Sequence, residues 1–300
     1  MFFSGSKKSY CCGMPGLRAT QAWVLAVLAI TLLGTIRAGN LGAADQSGST
    51  GLPAGLKAGE TISVKTVVDG DTLLLEDDRV VHLVGIQAPA MPSVRRNPEA
   101  SNTKTGSTGV WPLAADAAAA LAELLGDKPV SLSYSGNRID RHGRVQAHVT
   151  NAQGLWLQGE LLHRGLARVY SFADNRTAVA EMLTLERIAR TARRGIWSHP
   201  YYAVRPHDAA EKEVGQFQLI EGRILKVAIV GGRAYLNFGE DWRSDFTLVI
   251  DPVNRRLFKA EGLDPLFYEG RRVRARGWLG YRNGATINVT HPEQIEVLDK

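Results

Sequence analysis

The sequence predicts an α+β chain carrying two β-barrel units in series. Three observations lead there. Short β-rich runs between residues 61 and 86 give way to helices and two further strands, the order of an α+β domain rather than of a βαβ repeat. From residue 217 the succession is three strands, a helix and two strands, which is the order of a five-stranded OB barrel. The 300 residues are 44% hydrophobic, enough for one large domain or two modest ones and well away from disorder.

The N-terminus reads as a targeting segment. Lys7, Lys8 and Arg18 precede an apolar stretch from Ala22 to Leu33, and small residues follow from Ala38 to Ala44. A basic region, a short apolar region and a small-residue cleavage site make a secretory signal. Cleavage after Ala44 fits best, with Ala38 as runner-up. The apolar run falls short of the roughly 20 residues that span a bilayer. Residues 1–44 are therefore expected to be a signal peptide, with no stable membrane span after cleavage and a secreted or periplasmic destination. A membrane anchor by the same segment is the alternative. Both cysteines, Cys11 and Cys12, lie in it, so the cleaved chain has no disulfide and no cysteine metal site.

Charge must be read with that segment set aside. The chain has a formal net charge of +6. Lys7, Lys8, Arg18 and Arg37 stand before residue 45 with no acid among them, so removing them leaves 32 basic and 30 acidic residues. Overall charge then argues only weakly for a polyanionic partner.

Residues 45–59, rich in Gly, Ser and Ala, are expected to be a linker. A domain over 60–199 follows. Its first three strands are 61–68, 72–76 and 79–86, with Asp69-Gly70 and Asp77-Asp78 as turns of a meander. Residues 91–111 read as a long loop. Pro112 opens an alanine-rich helix to Leu125; residues 130–134 and 144–149 are strands; helices over 155–164 and 176–194 stop at Gly165 and Gly195. Residues 200–216 are expected to link to a second β domain over 217–300. There Gly231-Gly232 and Asn283-Gly284 supply hairpin turns, and 252–262 is a short helix.

Five stretches of the middle domain resemble the thermonuclease (staphylococcal nuclease-like) family. They are Val68-Asp69-Gly70-Asp71-Thr72, the strand from Val81 to Pro89, and the span from Trp111 to the turn Asp140-Arg141-His142-Gly143-Arg144. The other two are residues 159–167, Gly-Glu-Leu-Leu-His-Arg-Gly-Leu-Ala, and Gly195-Ile196-Trp197-Ser198. Each is weak alone; five in order over about 140 residues are specific. The resemblance implies a small OB-type barrel with three helices and calcium-dependent hydrolysis of phosphodiesters. Asp71 matches a calcium ligand and Arg144 one of two phosphate-binding arginines.

At other positions the chain departs from the family. The second arginine falls at His82, the second aspartate ligand at Gln87, the carbonyl-contributing threonine at Ala88, and the catalytic glutamate at Ala90. Gln87 offers an oxygen without charge. His82 lacks the arginine fork and is mostly neutral at pH 7. Ala90 moves no proton, and losing a general base costs about 10²–10⁴-fold. Glu99, in the loop after Ala90, is a candidate displaced base. Beside these readings stand plainer ones: a hairpin turn at Asp69–Thr72, an Arg144–Asp140 surface pair, a structural His82, and a buried structural carboxylate at Glu186. Arg187, Arg190, Arg193 and Arg194 read as a solvated helix face.

In the C-terminal domain, Arg274, Arg276 and Trp278 are the candidate nucleic-acid contacts, since OB barrels stack bases on aromatics in a basic groove. Three functional readings stay open: a weakened calcium-dependent nuclease acting on DNA or RNA, a nucleic-acid-binding protein on a decayed catalytic fold, and an envelope scaffold. The oligomeric state is open too.

Overall fold

Residues 51–91 and 111–299 are described in a computed structural model; the expected signal segment and Glu99 lie outside them. Along the chain come β1 (Lys57–Ile62), β2 (Val64–Asp69), β3 (Thr72–Leu75), β4 (Val80–Leu83) and β5 (Gly85–Gln87). Then follow α1 (Ala114–Leu125), β6 (Val130–Tyr134), β7 (Val145–Thr150), α2 (Leu157–His163), β8 (Arg168–Tyr170) and α3 (Val179–Thr191). The expected meander is present, with β3 antiparallel to both β2 and β4. It extends into a six-stranded sheet in the order β1-β6-β7-β4-β3-β2, while β5 and β8 pair separately.

The apolar alternation of the strands turns Leu73, Leu75, Val81, Leu83, Leu132 and Val149 onto one core, which α1 and α2 close with Leu121, Leu157 and Leu161. Two local expectations shift. The run from residue 61 breaks at Ser63, and the strand before the break begins at Lys57, inside the stretch read as a linker, because it pairs with β6. Helix α1 begins at Ala114 rather than Pro112: Leu113 adopts a left-handed conformation (φ 65°), and the Pro112 carbonyl accepts from the Tyr202 hydroxyl at 2.7 Å.

The C-terminal unit comprises β9 (Arg205–Pro206), β10 (Phe217–Arg223), β11 (Lys226–Val230), β12 (Arg233–Asn237), β13 (Thr247–Ile250), α4 (Arg255–Ala260), β14 (Arg272–Tyr281), β15 (Ala285–Val289) and β16 (Ile295–Val297). Its sheet runs β11-β12-β13-β15-β14-β10-β9, with β16 also on β14. The first strand expected from sequence, residues 218–230, divides into β10 and β11, which pair with different partners, β14 and β12. Gly231 (φ 57°) and Gly232 (φ 80°), between the paired Val230 and Arg233, both take the positive φ that a two-residue hairpin of the primed type requires. Residues 200–216 are folded against the rest. Tyr202 and Ala210 are buried, and β9 pairs in parallel with β10.

Residues 48–300 make one unit. A buried ion-pair cluster joins α3 to β14. Arg276 Nη1 donates to Glu186 Oε2 at 2.8 Å and its Nη2 to Glu186 Oε1 at 3.0 Å, and Glu296 accepts from the same guanidinium. Arg190 Nη1 donates to Glu186 Oε1 at 2.6 Å. Burial opposes charge on both members of the central pair. The facing carboxylates outweigh it and raise Arg276, and the guanidiniums hold Glu186 below the usual carboxylate range. Glu186 is thus the buried structural carboxylate expected. Arg190 leaves the expected solvated face, because its side chain turns inward onto Glu186 and Glu296.

Candidate active site

A cleft of about 780 Å³ opens where the β3–β4 and β5 strand ends meet the turn before β7. Its position follows from the sheet. The β2–β3 turn delivers Asp69 and Asp71, β4 delivers His82 opposite Thr72, and the turn before β7 delivers Arg141, His142 and Arg144. Gly70 makes this possible. A Cβ there would lie 2.7 Å from both the Ala88 and Ala117 Cβ atoms, so the turn, β5 and α1 approach closely only with glycine at that point.

Asp71 is held from several sides. Its Oδ1 accepts from Thr72 Oγ1 at 2.9 Å, its Oδ2 from the Ala88 amide at 2.8 Å, and His82 Nε2 lies 3.8 Å from Oδ1. Asp69 accepts from the Asp71 amide at 3.2 Å. Burial pushes the Asp71 carboxyl up from its ordinary value. Burial, and next the charge of Asp71, push Asp69 up to about 6. Burial lowers His82 to about 4, so its imidazole is neutral at pH 7 and gives the cleft a neutral donor rather than a second cation. Arg144 reaches the cleft while its Nε donates to Asp140 Oδ2 at 2.7 Å. The surface pair with Asp140 and a place in the cleft are therefore both features of Arg144. Burial raises the Asp140 carboxyl, but the hydrogen bonds from Arg144 outweigh it and hold it low.

The described residues of the cleft fall short of a calcium ligand set. A hard dication takes six to eight oxygen ligands, several of them charged. Asp69 and Asp71 are the charged donors at the turn, and among the described residues no three of His, Cys, Asp or Glu converge on a metal position. The Gln87 amide oxygen accepts from Arg168 Nε at 3.0 Å. Arg168 is 4% exposed, and although burial lowers it to about 10 it remains a cation at pH 7. The oxygen that the resemblance assigns to the metal thus accepts a hydrogen bond from a guanidinium.

Arg168 belongs to no motif in the sequence, yet aromatic rings stand around it. Its guanidinium lies 4.7 Å from the Phe217 ring centroid and 5.9 Å from those of Trp111 and Tyr202. The alternation of Arg168 and Tyr170 was the available signal: period two on a strand places both on one side.

Residues 80–199 match the family model described as Staphylococcal nuclease homologue. The Thermonuclease of Staphylococcus hyicus is 24% identical over 143 residues, covering 47% of this chain and 77% of that protein. The chain carries a staphylococcal nuclease-like domain. The match begins at Val80, whereas β1, β2 and β3, which precede it, complete the same six-stranded sheet as the matched strands.

Around the nuclease-like cleft the C-terminal contacts expected from sequence separate. Trp278 lines the cleft itself, and its Nε1 donates to the Tyr170 hydroxyl at 2.9 Å. Arg276 does not serve as a surface contact: it is 1% exposed and neutralised by Glu186 and Glu296. Arg274 is likewise turned onto Glu221 at 2.9 Å. Alternation along β14 places Arg272, Arg274 and Arg276 on one face. On that face Arg274 and Arg276 meet glutamates of α3, β10 and β16 instead of solvent, while Arg272 pairs with Glu221 and stays exposed. Ala90 lines the cleft and carries no group able to take a proton.

Proposed function

We infer that the nuclease-like cleft binds a nucleic acid strand by its phosphodiester backbone, with hydrolysis much weakened. One observation carries the reading. Arg144, the neutral donor His82 and the aromatics Tyr170, Phe172 and Trp278 line the cleft, while the position for a general base is Ala90. Phosphate recognition is supported by what is there; fast proton transfer has no residue in the described cleft at the family position. A lost general base costs about 10²–10⁴-fold, which leaves binding intact.

A second reading, slow hydrolysis, is favoured by Asp69. Its carboxyl, pushed up to about 6 by burial and by Asp71, exchanges protons near neutral pH, where a general base works best. Calcium dependence belongs to this second reading and has little support from the donor set. Export rests on the basic, apolar and small-residue order of residues 1–44; among the described residues no helix is long and apolar enough to cross a membrane.

The test uses labelled single-stranded DNA and RNA with purified protein, in calcium and in chelator, beside Arg144→Ala and Asp69→Asn. Retention of the strand without cutting, weakened roughly 10- to 100-fold in Arg144→Ala as for a lost charged hydrogen bond, is expected. Cutting that disappears in Asp69→Asn selects the second reading. A protein that neither retains nor cuts either strand defeats both.

A further inference from the structure

The outward face of the C-terminal sheet carries a second, separate cleft of about 750 Å³. Its origin is the strand alternation. In β11, β12, β13 and β15 the residues Val227, Ala234, Leu236, Leu248, Ile250, Ile287 and Val289 belong to the core. Their neighbours in sequence point the other way and line the cleft. The register aligns these in rows across the sheet. Lys226, Asn237, Thr247, Thr286 and Gly280 form one row, and Ala228, Tyr235, Val249 and Asn288 the next. Five strands at about 4.8 Å spacing make a groove roughly 19 Å long.

The chemistry of the groove is distinctive. Asn237, Thr247 and Thr286 are at most 9% exposed and form a polar floor. Trp242 (54% exposed) and Tyr281 (63% exposed) line the groove with aromatic surface open to solvent. Arg243 lies 4.7 Å over the Trp242 ring. The acid in the lining, Asp251, is paired with Arg233. Lys226 and Arg282 stand in the lining with no ion pair among the described residues, so the groove carries an uncompensated positive charge.

We propose that this groove is a binding site for an unpaired nucleic acid strand, distinct from the nuclease-like cleft. Open aromatics accept bases by stacking without regard to sequence, unpaired cations meet phosphates, and hydroxyl and amide groups on the floor serve the sugar and base edges. An extended single strand fits a groove of this length; the uncompensated charge favours a polyanion over a neutral glycan. The site does not rest on the reading of the other cleft, since none of its lining residues is shared with it.

The experiment measures anisotropy of a labelled oligodeoxythymidine on the full chain in the Arg144→Ala background, which removes the phosphate contact of the nuclease-like cleft. Trp242→Ala and Tyr281→Ala are each expected to weaken the remaining binding roughly 5- to 150-fold, and Trp242→Phe to retain most of it. Lys226→Ala with Arg282→Ala is expected to flatten the slope of log Kd on log salt by about 1.4, roughly 0.7 for each lost phosphate contact. Melting curves confirm that these surface variants stay folded. The proposal is overturned if the aromatic and cation variants bind like their Arg144→Ala parent. It is equally overturned if a neutral oligosaccharide displaces the strand and binds at least as tightly.

Discussion

Replacing Arg276 by methionine tests whether the two large sheets form one cooperative body. The guanidinium makes two hydrogen bonds to Glu186 at 2.8 and 3.0 Å, one to the Val169 carbonyl at 3.3 Å, and a further one to Glu296. Glu186 is 0% exposed and Glu296 has a side chain 9% exposed, so neither carboxylate regains water when its partner leaves. Breaking a buried pair on one side costs about 3–5 kcal/mol. Glu186 keeps Arg190 at 2.6 Å and the Val169 amide at 2.6 Å, which places the loss at the lower end, about 3 kcal/mol. For a chain of this size that is a fall in Tm of roughly 6–12 °C. Urea and thermal unfolding of the full chain, followed by near-ultraviolet and far-ultraviolet circular dichroism, read it out. The same transition is expected by both probes. Adding Glu296→Gln to Arg276→Met is expected to recover part of the loss, since it removes a stranded carboxylate while Arg190 keeps Glu186 and Arg274 keeps Glu221. A loss below about 1 kcal/mol, or two separate transitions in the unaltered protein, refutes the reasoning.

Three further outcomes follow from the same structure. Gly70→Ala puts a Cβ 2.7 Å from Ala88 and Ala117, and is expected to cost about 1–3 kcal/mol and to weaken strand binding by moving Asp71; melting and filter retention check both. His148 and His291 are both lowered from 6.5 to about 4 by burial. A depressed histidine gives stability that is complete above 6.5 and lost as pH falls toward 4, so each is expected to remove about 2 kcal/mol between pH 7 and pH 5, and His291→Gln to flatten that slope in urea titrations. Trp278→Ala removes an aromatic of the nuclease-like cleft and its bond to Tyr170, and is expected to weaken single-strand affinity roughly 5- to 150-fold in a binding titration, with duplex affinity changed less.

The parts of the fold legible in the sequence were those governed by local rules. The meander β2–β3–β4 announced itself by alternation and turn residues, and the order of β12, β13, α4, β14 and β15 was readable from punctuation alone. Pairing was not. Lys57–Ile62 looked like linker because its strand character comes from β6, about seventy residues away along the chain. At the site, Asp71 and Arg144 were found through motifs, and the cleft does unite them. The errors arose where a residue's role is set by a distant partner. The Arg274 and Arg276 stripe is basic on paper, yet Glu186, Glu221 and Glu296 neutralise it. Gln87 retains a ligand-like oxygen, and the donor it meets, Arg168, lies 81 residues away along the chain.

The central claim is that the nuclease-like cleft holds a strand but lacks the means to cut it quickly. Its most direct test restores the family residues, Ala90→Glu with Gln87→Asp, and compares cleavage of a labelled single strand with that of the unaltered protein in calcium. The account expects retention by both proteins and a gain in cutting rate of about 10²-fold or more in the restored one. Equal, rapid cutting by the unaltered protein would contradict it, because a working base would then already be present.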